Sequence, residues 1–152
     1  MDKRGITPIM ATFLLISFAV AVGVVVMNLG RAQVESDAEC PINIELKLSN
    51  IQGVDQLCYD SAKKELAFTV ENGINIDVEG LIVNVISSQQ AETFAMDNAY
   101  MGKAGVYFGH APFDSSASGE IRQVKILPKV LLYDNLEICT EQALVIEEIR
   151  DC

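Results

Sequence analysis

The hydrophobic residues of this chain follow two different patterns in two regions. From Ile6 to Leu29 there is no charged residue, and most side chains are aliphatic or aromatic. These 24 residues of helix, at about 1.5 Å each, reach about 36 Å, which exceeds the hydrocarbon thickness of about 30 Å in a bilayer. A helix in a soluble core would carry a polar face, and this segment has none. The pattern therefore predicts a transmembrane or assembly helix over residues 6–32.

After residue 41 the period of the hydrophobic pattern changes from helical to two. Aliphatic residues occupy every second position of Ile42–Leu48, which is typical of a half-buried strand. The stretch Leu57–Gly73 predicts a hairpin with a polar turn at Ser61–Lys64, and it ends in the turn signal Asn-Gly. Glu79–Ser88 is almost continuous in residues that favour strands, and we expect it to form a central strand.

The C-terminal half continues this pattern less regularly. Within residues 89–120 the best strand is Gly105–Phe108, and the clearest loop is Asp114–Gly119. The last predicted strands lie in 120–127, 130–139 and 143–150, with Pro128 interrupting between the first two. This makes about seven or eight short strands without a convincing helix. An antiparallel immunoglobulin-like β-sandwich over residues 42–152, joined to the helix by a linker at 33–41, is the expected architecture.

The charge of the part beyond the helix excludes several partners. Asp2 is the only acid among the first 32 residues, and three of the eleven basic residues lie there, so residues 33–152 carry 20 acidic and 8 basic side chains. Nucleic acid and anionic lipid headgroups are themselves negative, and a net charge of −12 argues against both. The simplest explanation is a soluble, self-repelling surface.

Four cysteines, all located after the hydrophobic segment, indicate the compartment of this region. None are spaced as CxxC, and His110 is the single histidine, so a zinc site is not expected. Two disulfides in an extracytoplasmic domain explain the even count, and free thiols in a cytosolic domain are the alternative. We favour the nested pairing Cys40–Cys152 with Cys58–Cys139, because it needs only antiparallel first and last strands. The pairing Cys40–Cys139 with Cys58–Cys152 remains open.

The hydrophobic segment has three interpretations: a plain anchor, a cleaved secretory signal or the assembly helix of a filament. A cleaved signal has an apolar stretch of roughly 7–15 residues, and this one is longer, although Gly30-Arg31-Ala32 could serve as a cleavage site. The motif KRGITP, Lys3 to Pro8, directly opens the apolar helix. It resembles the class III leader of archaeal type IV pilins and archaellins.

That resemblance implies how the N-terminus is processed. A membrane peptidase would recognise Lys3 and Arg4 and cut after Gly5, the last residue of a leader 1–5. Ile6 would become the new N-terminus, and Pro8 would be the third mature residue, where such pilins often carry proline. Bacterial type IV pilins usually carry Glu at the fifth mature position, whereas this chain has Met10, which favours the archaeal branch.

The resemblance also implies an architecture and a set of partners. The helix would pack against copies of itself, and Ala19-x-x-x-Gly23 offers a small-residue pair for close approach. The chain would insert in the membrane before assembly with its N-terminus cytoplasmic and its β domain at the cell surface. The stretch FTVENG followed by EGLIVNV resembles archaeal adhesion-type immunoglobulin-like domains. We therefore expect a subunit of a type IV pilus-like surface filament, or else a single-pass membrane protein that presents an adhesion or binding domain without polymerising.

An enzyme is the least favoured interpretation. His110 lies in a predicted loop near Asp114, Ser115 and Ser116, but no nucleophile motif or fixed spacing supports a catalytic set. Asp97, Asn98 and Asp114 could offer oxygen ligands to calcium but lack the spacing of a known calcium loop. There is no phosphate loop or dinucleotide fingerprint. We expect no cofactor, metal, small-molecule substrate or catalytic residue.

Overall fold

The computed structural model describes residues 6–36, 40 and 42–152. The chain divides into two compact units, Met1–Ala38 and Glu39–Cys152. The first unit contains helix α1, Ile6–Ser36, which continues four residues past the predicted end at residue 32. The first four residues of the predicted linker 33–41 are thus helical, while residues 37–39 and 41 of that linker lie outside the described part.

The second unit is built from short strands, with one short α-helix and one 3-10 turn. The α-helix α2 is Ser115–Ser118, and the 3-10 turn is Thr140–Gln142. The strands are β1 (Lys47–Leu48), β2 (Asn50–Ile51), β3 (Val54–Asp55), β4 (Leu57–Asp60), β5 (Glu65–Glu71), β6 (Gly80–Ser87), β7 (Ala91–Met96), β8 (Val106–Pro112), β9 (Ile121–Leu132), β10 (Asn135–Ile138), β11 (Leu144–Ile146) and β12 (Arg150–Asp151).

One sheet, sheet I, is centred on β5. Strand β8 pairs with one edge of β5, while β1 and β4 share the other edge in succession. The hairpin β2–β3 is an excursion between them, since Ser49 N–H donates to the Thr69 carbonyl and Thr69 N–H donates to the Gln56 carbonyl. Strand β12 completes the sheet by running parallel to β4. All other strand pairs in sheet I are antiparallel.

The other sheet, sheet II, is centred on β6 and β9. These strands form the longest antiparallel ladder, from Gly80 opposite Lys129 to Ser87 opposite Ile121. Strand β7 pairs with the far edge of β6, and β10 and β11 share the far edge of β9. The turn from β9 to β10 has two residues, Tyr133 and Asp134, both with positive φ (50° and 63°), which suits the twist of a tight hairpin.

Side chains from both sheets form one hydrophobic core. The predicted inward residues of the hairpin, Leu66, Phe68 and Val70, are buried. Alternate residues of β6 are buried as well. The predicted class is confirmed: the domain is mainly β, antiparallel and sandwich-like, with one N-terminal apolar helix. Its described residues form twelve strands, more than the seven or eight expected, because several of these strands are only two or three residues long.

The first predicted strand is the main local difference. Ile44 is fully buried and the alternation is kept, but only Lys47–Leu48 of the segment pairs as a strand. Glu45 has a φ of 57°, outside the range of extended backbone, and interrupts the segment. The residues before β1 are therefore irregular in backbone, but their apolar side chains still reach the core.

Pro128 does not interrupt a strand as predicted, since β9 continues through it from Ile121 to Leu132. The outer edge of β9 changes partner at this point, from β11 opposite 124–126 to β10 opposite 129–132. In an antiparallel strand the N–H and C=O of one residue point the same way, and the Pro128 carbonyl accepts from Cys139 N–H on that edge. The N–H that Pro128 lacks would point to the outer edge of β9 at the position between β11 and β10, where neither strand pairs with it.

Between residues 89 and 120, strand β7 and helix α2 were not predicted, and strand β8 is longer than predicted. Strand β7 lies in the stretch described as irregular, and β8 continues four residues past the predicted 105–108 strand, to Pro112. The predicted loop 114–119 contains α2, whose N-cap Asp114 accepts a hydrogen bond from Ser116 N–H at 3.0 Å.

Candidate assembly helix and disulfide-braced domain

Helix α1 has no polar face anywhere along its described side chains. Every side chain from Met10 to Met27 is exposed, including Phe13, Phe18 and a run of valines. This is the one described helix long and apolar enough to cross a membrane. None of the described residues of its own unit covers these side chains.

The predicted processing residues lie at the start of this helix. Lys3, Arg4 and Gly5 are outside the described residues, while Ile6 and Pro8 fall within the first turn of α1. A proline is tolerated there because the first N–H groups of a helix have no intrahelical acceptor. The backbone at Pro8 is therefore compatible with a helix that begins at Ile6.

The predicted packing pair is available on the helix surface. Ala19 and Gly23 are four residues apart, so they lie on the same face, and both are exposed. A Cβ placed on Gly23 would meet no atom of the described residues within 4 Å, apart from its own helix backbone and chain neighbours. The position therefore has room for a side chain, although glycine in a helix interior costs about 1 kcal/mol relative to alanine.

Two disulfides brace the β domain, and the favoured nested pairing is wrong. Cys40 is bonded to Cys139 with a Cα–Cα distance of 5.6 Å, and Cys58 to Cys152 with 5.0 Å. This is the pairing that had remained open. The last strand, β12, runs parallel to β4 instead of antiparallel to the first strand, which places Cys152 beside Tyr59.

The faces of the sheets explain why Cys58 cannot reach Cys139. Cys58 occupies an outward position of β4 between the buried residues Leu57 and Tyr59. Cys139 is fully buried, and its N–H is bonded to Pro128 of sheet II. The two bridges close segments with sequence separations of 99 and 94 residues, and they fix Cys40 and Cys152 at the two ends of the domain.

Hydrogen bonds from the 3-10 turn reinforce the first bridge. Gln142 Oε1 accepts from Ile44 N–H at 2.7 Å, and its Nε2 donates to the carbonyls of Cys40 and Ile42. Glu141 Oε1 accepts from Cys40 N–H at 2.6 Å, and this backbone hydrogen bond is the main reason that the pKa of Glu141 is lowered. Sequence reasoning missed both residues, because nothing local in Thr140–Gln142 indicates a partner about 100 positions away.

The residues considered for catalysis have ordinary structural partners. His110 Nδ1 lies 3.3 Å from Glu65 Oε1, and its ring contacts Phe108 edge-on at 4.6 Å between centroids. Asp114 accepts from Lys64 Nζ at 2.6 Å, the largest cause of its lowered pKa. Ser115 Oγ is 3.1 Å from the Tyr59 hydroxyl. The structure thus joins His110 to Glu65 and gives Asp114 and Ser115 other partners.

The acidic residues considered for calcium are similarly engaged. Asp97 Oδ1 accepts from Lys129 Nζ at 2.5 Å, and the Asp114 carboxylate is held by Lys64. A group formed by Cys40, Cys139 and Glu141 brings sulfur and carboxylate atoms close together, but both sulfurs belong to the disulfide. Thiolate ligands are therefore not available there.

Comparison with protein families, with characterised proteins and with solved structures finds no match to this chain.

Proposed function

We propose that this chain is a structural subunit of a type IV pilus-like filament on an archaeal surface. Its leader would be removed after Gly5, its helix would pack with the helices of other copies, and the β domain would form the outside. The supporting observation is α1 itself, in which every described side chain from Met10 to Met27 is apolar or small and exposed. The KRGITP motif in front of it supplies the resemblance to class III leaders.

Gly23 permits close helix packing between copies. Among the described residues outside its own helix turn, no atom would contact a Cβ at this position. Close approach of a second helix would require such a small residue, and Ala19 lies on the same face.

The disulfides support a location outside the cytoplasm. All four cysteines are paired, and cytosolic reductants keep such bridges rare. An apolar helix that precedes such a domain is consistent with a chain that is membrane-inserted before assembly, with the domain outside. The alternative is a single-pass anchor that presents the same domain without polymerising.

The N-terminus of the native protein separates these possibilities. We expect intact mass and terminal peptide sequencing, on protein from its own host, to give a mature start at Ile6. A start at Met1 would support the plain anchor. A start at Gln33 would contradict both proposals, because the helix would be absent from the mature protein.

A helix variant then tests polymerisation directly. Gly23→Leu adds bulk where the chain itself has room, and leucine favours the helix, so the fold of one subunit should be intact. We expect sheared filaments recovered by sedimentation to disappear in this variant. The matched control is Ala21→Leu, which enlarges a different face of α1 and should retain at least part of the filaments. Equal yields from Gly23→Leu and the unchanged chain would contradict packing through this face.

A further inference from the structure

The outward positions of sheet II form a surface with an unusual composition. Strand alternation and register assign fourteen residues to this outer face, seven of them branched aliphatic residues, two alanines, two lysines and three neutral polar residues. They are Ile82, Asn84, Ile86, Ala91, Thr93, Ala95, Gln123, Lys125, Leu127, Lys129, Leu131, Leu136, Ile138 and Val145. None is acidic, although acidic residues outnumber basic ones 20 to 8 beyond residue 32.

Four of the seven aliphatic residues of this face are exposed, while Ile82 and Ile86 are half-buried and Leu127 is buried. Leu136 is opposite Leu131 in the β9–β10 ladder, and their exposed fractions are 55% and 49%. Ile138 and Val145 extend the same surface along the edge strands. Single exposed aliphatic residues are ordinary, but a continuous group on one sheet face is typical of a contact surface.

The charge of this face is positive where the rest of the domain is negative. Lys129 is bonded to Asp97 at the rim, whereas Lys125 has no ion pair among the described residues. Two such faces placed against each other would bring their lysines together. A two-fold contact is therefore disfavoured, and a partner surface should supply carboxylates together with apolar side chains.

The outer face of sheet I has that chemistry. Asp60, Glu65 and Glu71 point outward there, on the same face as Lys47 and Arg150. Val106 and Phe108 lie beside them and are 60% and 62% exposed. The ion pairs of these carboxylates are with well-exposed lysines or with His110, and such pairs contribute little and exchange readily. Asp60 also accepts from the N–H groups of Ala62 and Lys63, and Glu71 is hydrogen-bonded to the Ser49 side chain.

We propose that the outer face of sheet II of one copy docks on the outer face of sheet I of a second copy. The aliphatic residues around Leu136 would pack near Phe108, and Lys125 would face the carboxylates of sheet I. A contact between two different faces is heterologous, and it produces an open array where its rotation does not close into a ring. The inference extends the filament proposal, on which its biological role rests, by naming the contact between outer domains.

Zero-length carbodiimide cross-linking of the full chain in host cells tests this contact, because the reagent joins only a lysine and a carboxylate already in contact. The dimer band is excised and its cross-linked peptides are identified by mass spectrometry. We expect Lys125 joined to Asp60, Glu65 or Glu71. Dimers joined mainly through Lys47, Lys63 or Lys103, or no dimer at all, would overturn the proposal.

Matched variants test the apolar part of the contact. Leu136→Glu places a charge on the face, and we expect the dimer band to fall at least about tenfold, since burial of one leucine contributes a factor of that order to association. Ile74→Glu is the control, because Ile74 is 71% exposed and lies outside both faces. An equal effect of the two substitutions would overturn the role of the sheet II face.

Sedimentation of the same material distinguishes this proposal from the filament proposal. Polymeric material without the Lys125 cross-link would overturn the domain contact and leave the filament in place. Non-polymeric material that still gives the Lys125 cross-link would overturn the filament and support the contact between membrane-held copies. Failure of both readouts would overturn both.

Discussion

Helix α1 and the β domain satisfy the same physical requirements by opposite means. The helix makes its backbone hydrogen bonds locally and leaves its apolar side chains exposed from Met10 to Met27. The domain makes many of its hydrogen bonds between strands distant in sequence, such as β6 and β9, and buries its apolar side chains in a core of its own. Its bridges span 99 and 94 residues.

This difference indicates what each unit depends on. The interior of the helix is complete in hydrogen bonding, and its described side chains from Met10 to Met27 are left uncovered by its own unit. The domain needs water outside and long-range pairing inside. Substitutions in one unit should therefore leave the other unchanged, and the following experiments break each in turn.

The largest effect is expected from two charges in the helix. Phe18→Arg with Val20→Arg puts two arginines near the middle of the apolar stretch, at a cost of about 2.5–3.5 kcal/mol each for insertion. We expect the fraction of chain that resists alkaline extraction from membranes to fall sharply. In detergent, the urea midpoint of the β domain should not change.

The control for this helix variant is Phe18→Leu with Val20→Leu, which keeps the segment apolar. If the arginine variant remains as firmly in the membrane as this control, α1 is not held by lipid. A shifted urea midpoint would instead show that the two units are coupled.

Removal of the Cys58–Cys152 bridge should give the next largest effect. Replacing both residues with alanine removes a crosslink between positions 94 residues apart in the sequence. The chain-entropy model gives a loss of about 4–5 kcal/mol in the free energy of unfolding. Urea unfolding followed by circular dichroism would measure it, and an unchanged midpoint would show that β12 is held by its pairing with β4 alone.

Core and outer-face phenylalanines on neighbouring strands provide a closer comparison. Phe68 is 1% exposed and Phe108 is 62% exposed. Phe68→Ala should lower the free energy of unfolding by about 3–5 kcal/mol, because it leaves a cavity in the core. Phe108→Ala should change it by less than about 0.5 kcal/mol. Similar losses in both variants, measured by urea unfolding, would contradict the assignment of faces on β5 and β8.

The pattern of the sequence predicted those features that depend on neighbouring residues. The apolar segment in α1, the hairpin β4–β5 and the central strand β6 were recognisable because each follows its own period over several residues. Pro128 was misjudged for a related reason. Whether a strand tolerates proline depends on the partner of its edge, and here the partner changes at that residue.

Long-range features could not be predicted in the same way. The disulfide pairing depends on strand order, and the parallel approach of β12 to β4 has no signal in the last residues of the chain. Gln142 likewise gains its role only when Cys40 and Ile44 are brought beside it. The processing residues Lys3, Arg4 and Gly5 remain a prediction from the motif alone.

The smallest effect is expected at Glu141, whose carboxylate accepts from Cys40 N–H where the domain begins. This hydrogen bond lowers the pKa of Glu141 in the folded state, so the charged form stabilises the fold above the unfolded value near 4.5. The stabilisation by the charged carboxylate should decrease as the pH falls below about 5, and it should be lost once the pH has passed through the lowered pKa of the folded state. Solvent screening keeps it below about 1 kcal/mol.

Glu141→Gln should therefore lower the urea midpoint slightly at pH 7 and progressively less as the pH falls below about 5. The suitable control is Glu137→Gln on β10. Glu137 is exposed, and its side chain makes no hydrogen bond or ion pair among the described residues. A difference between Glu141→Gln and the unchanged chain that persists undiminished at low pH would mean that the carboxylate's charge is not what matters. The side-chain contact of residue 141 with the Cys40 segment would then act through shape alone, and the bridge Cys40–Cys139 would hold the start of the domain without electrostatic help.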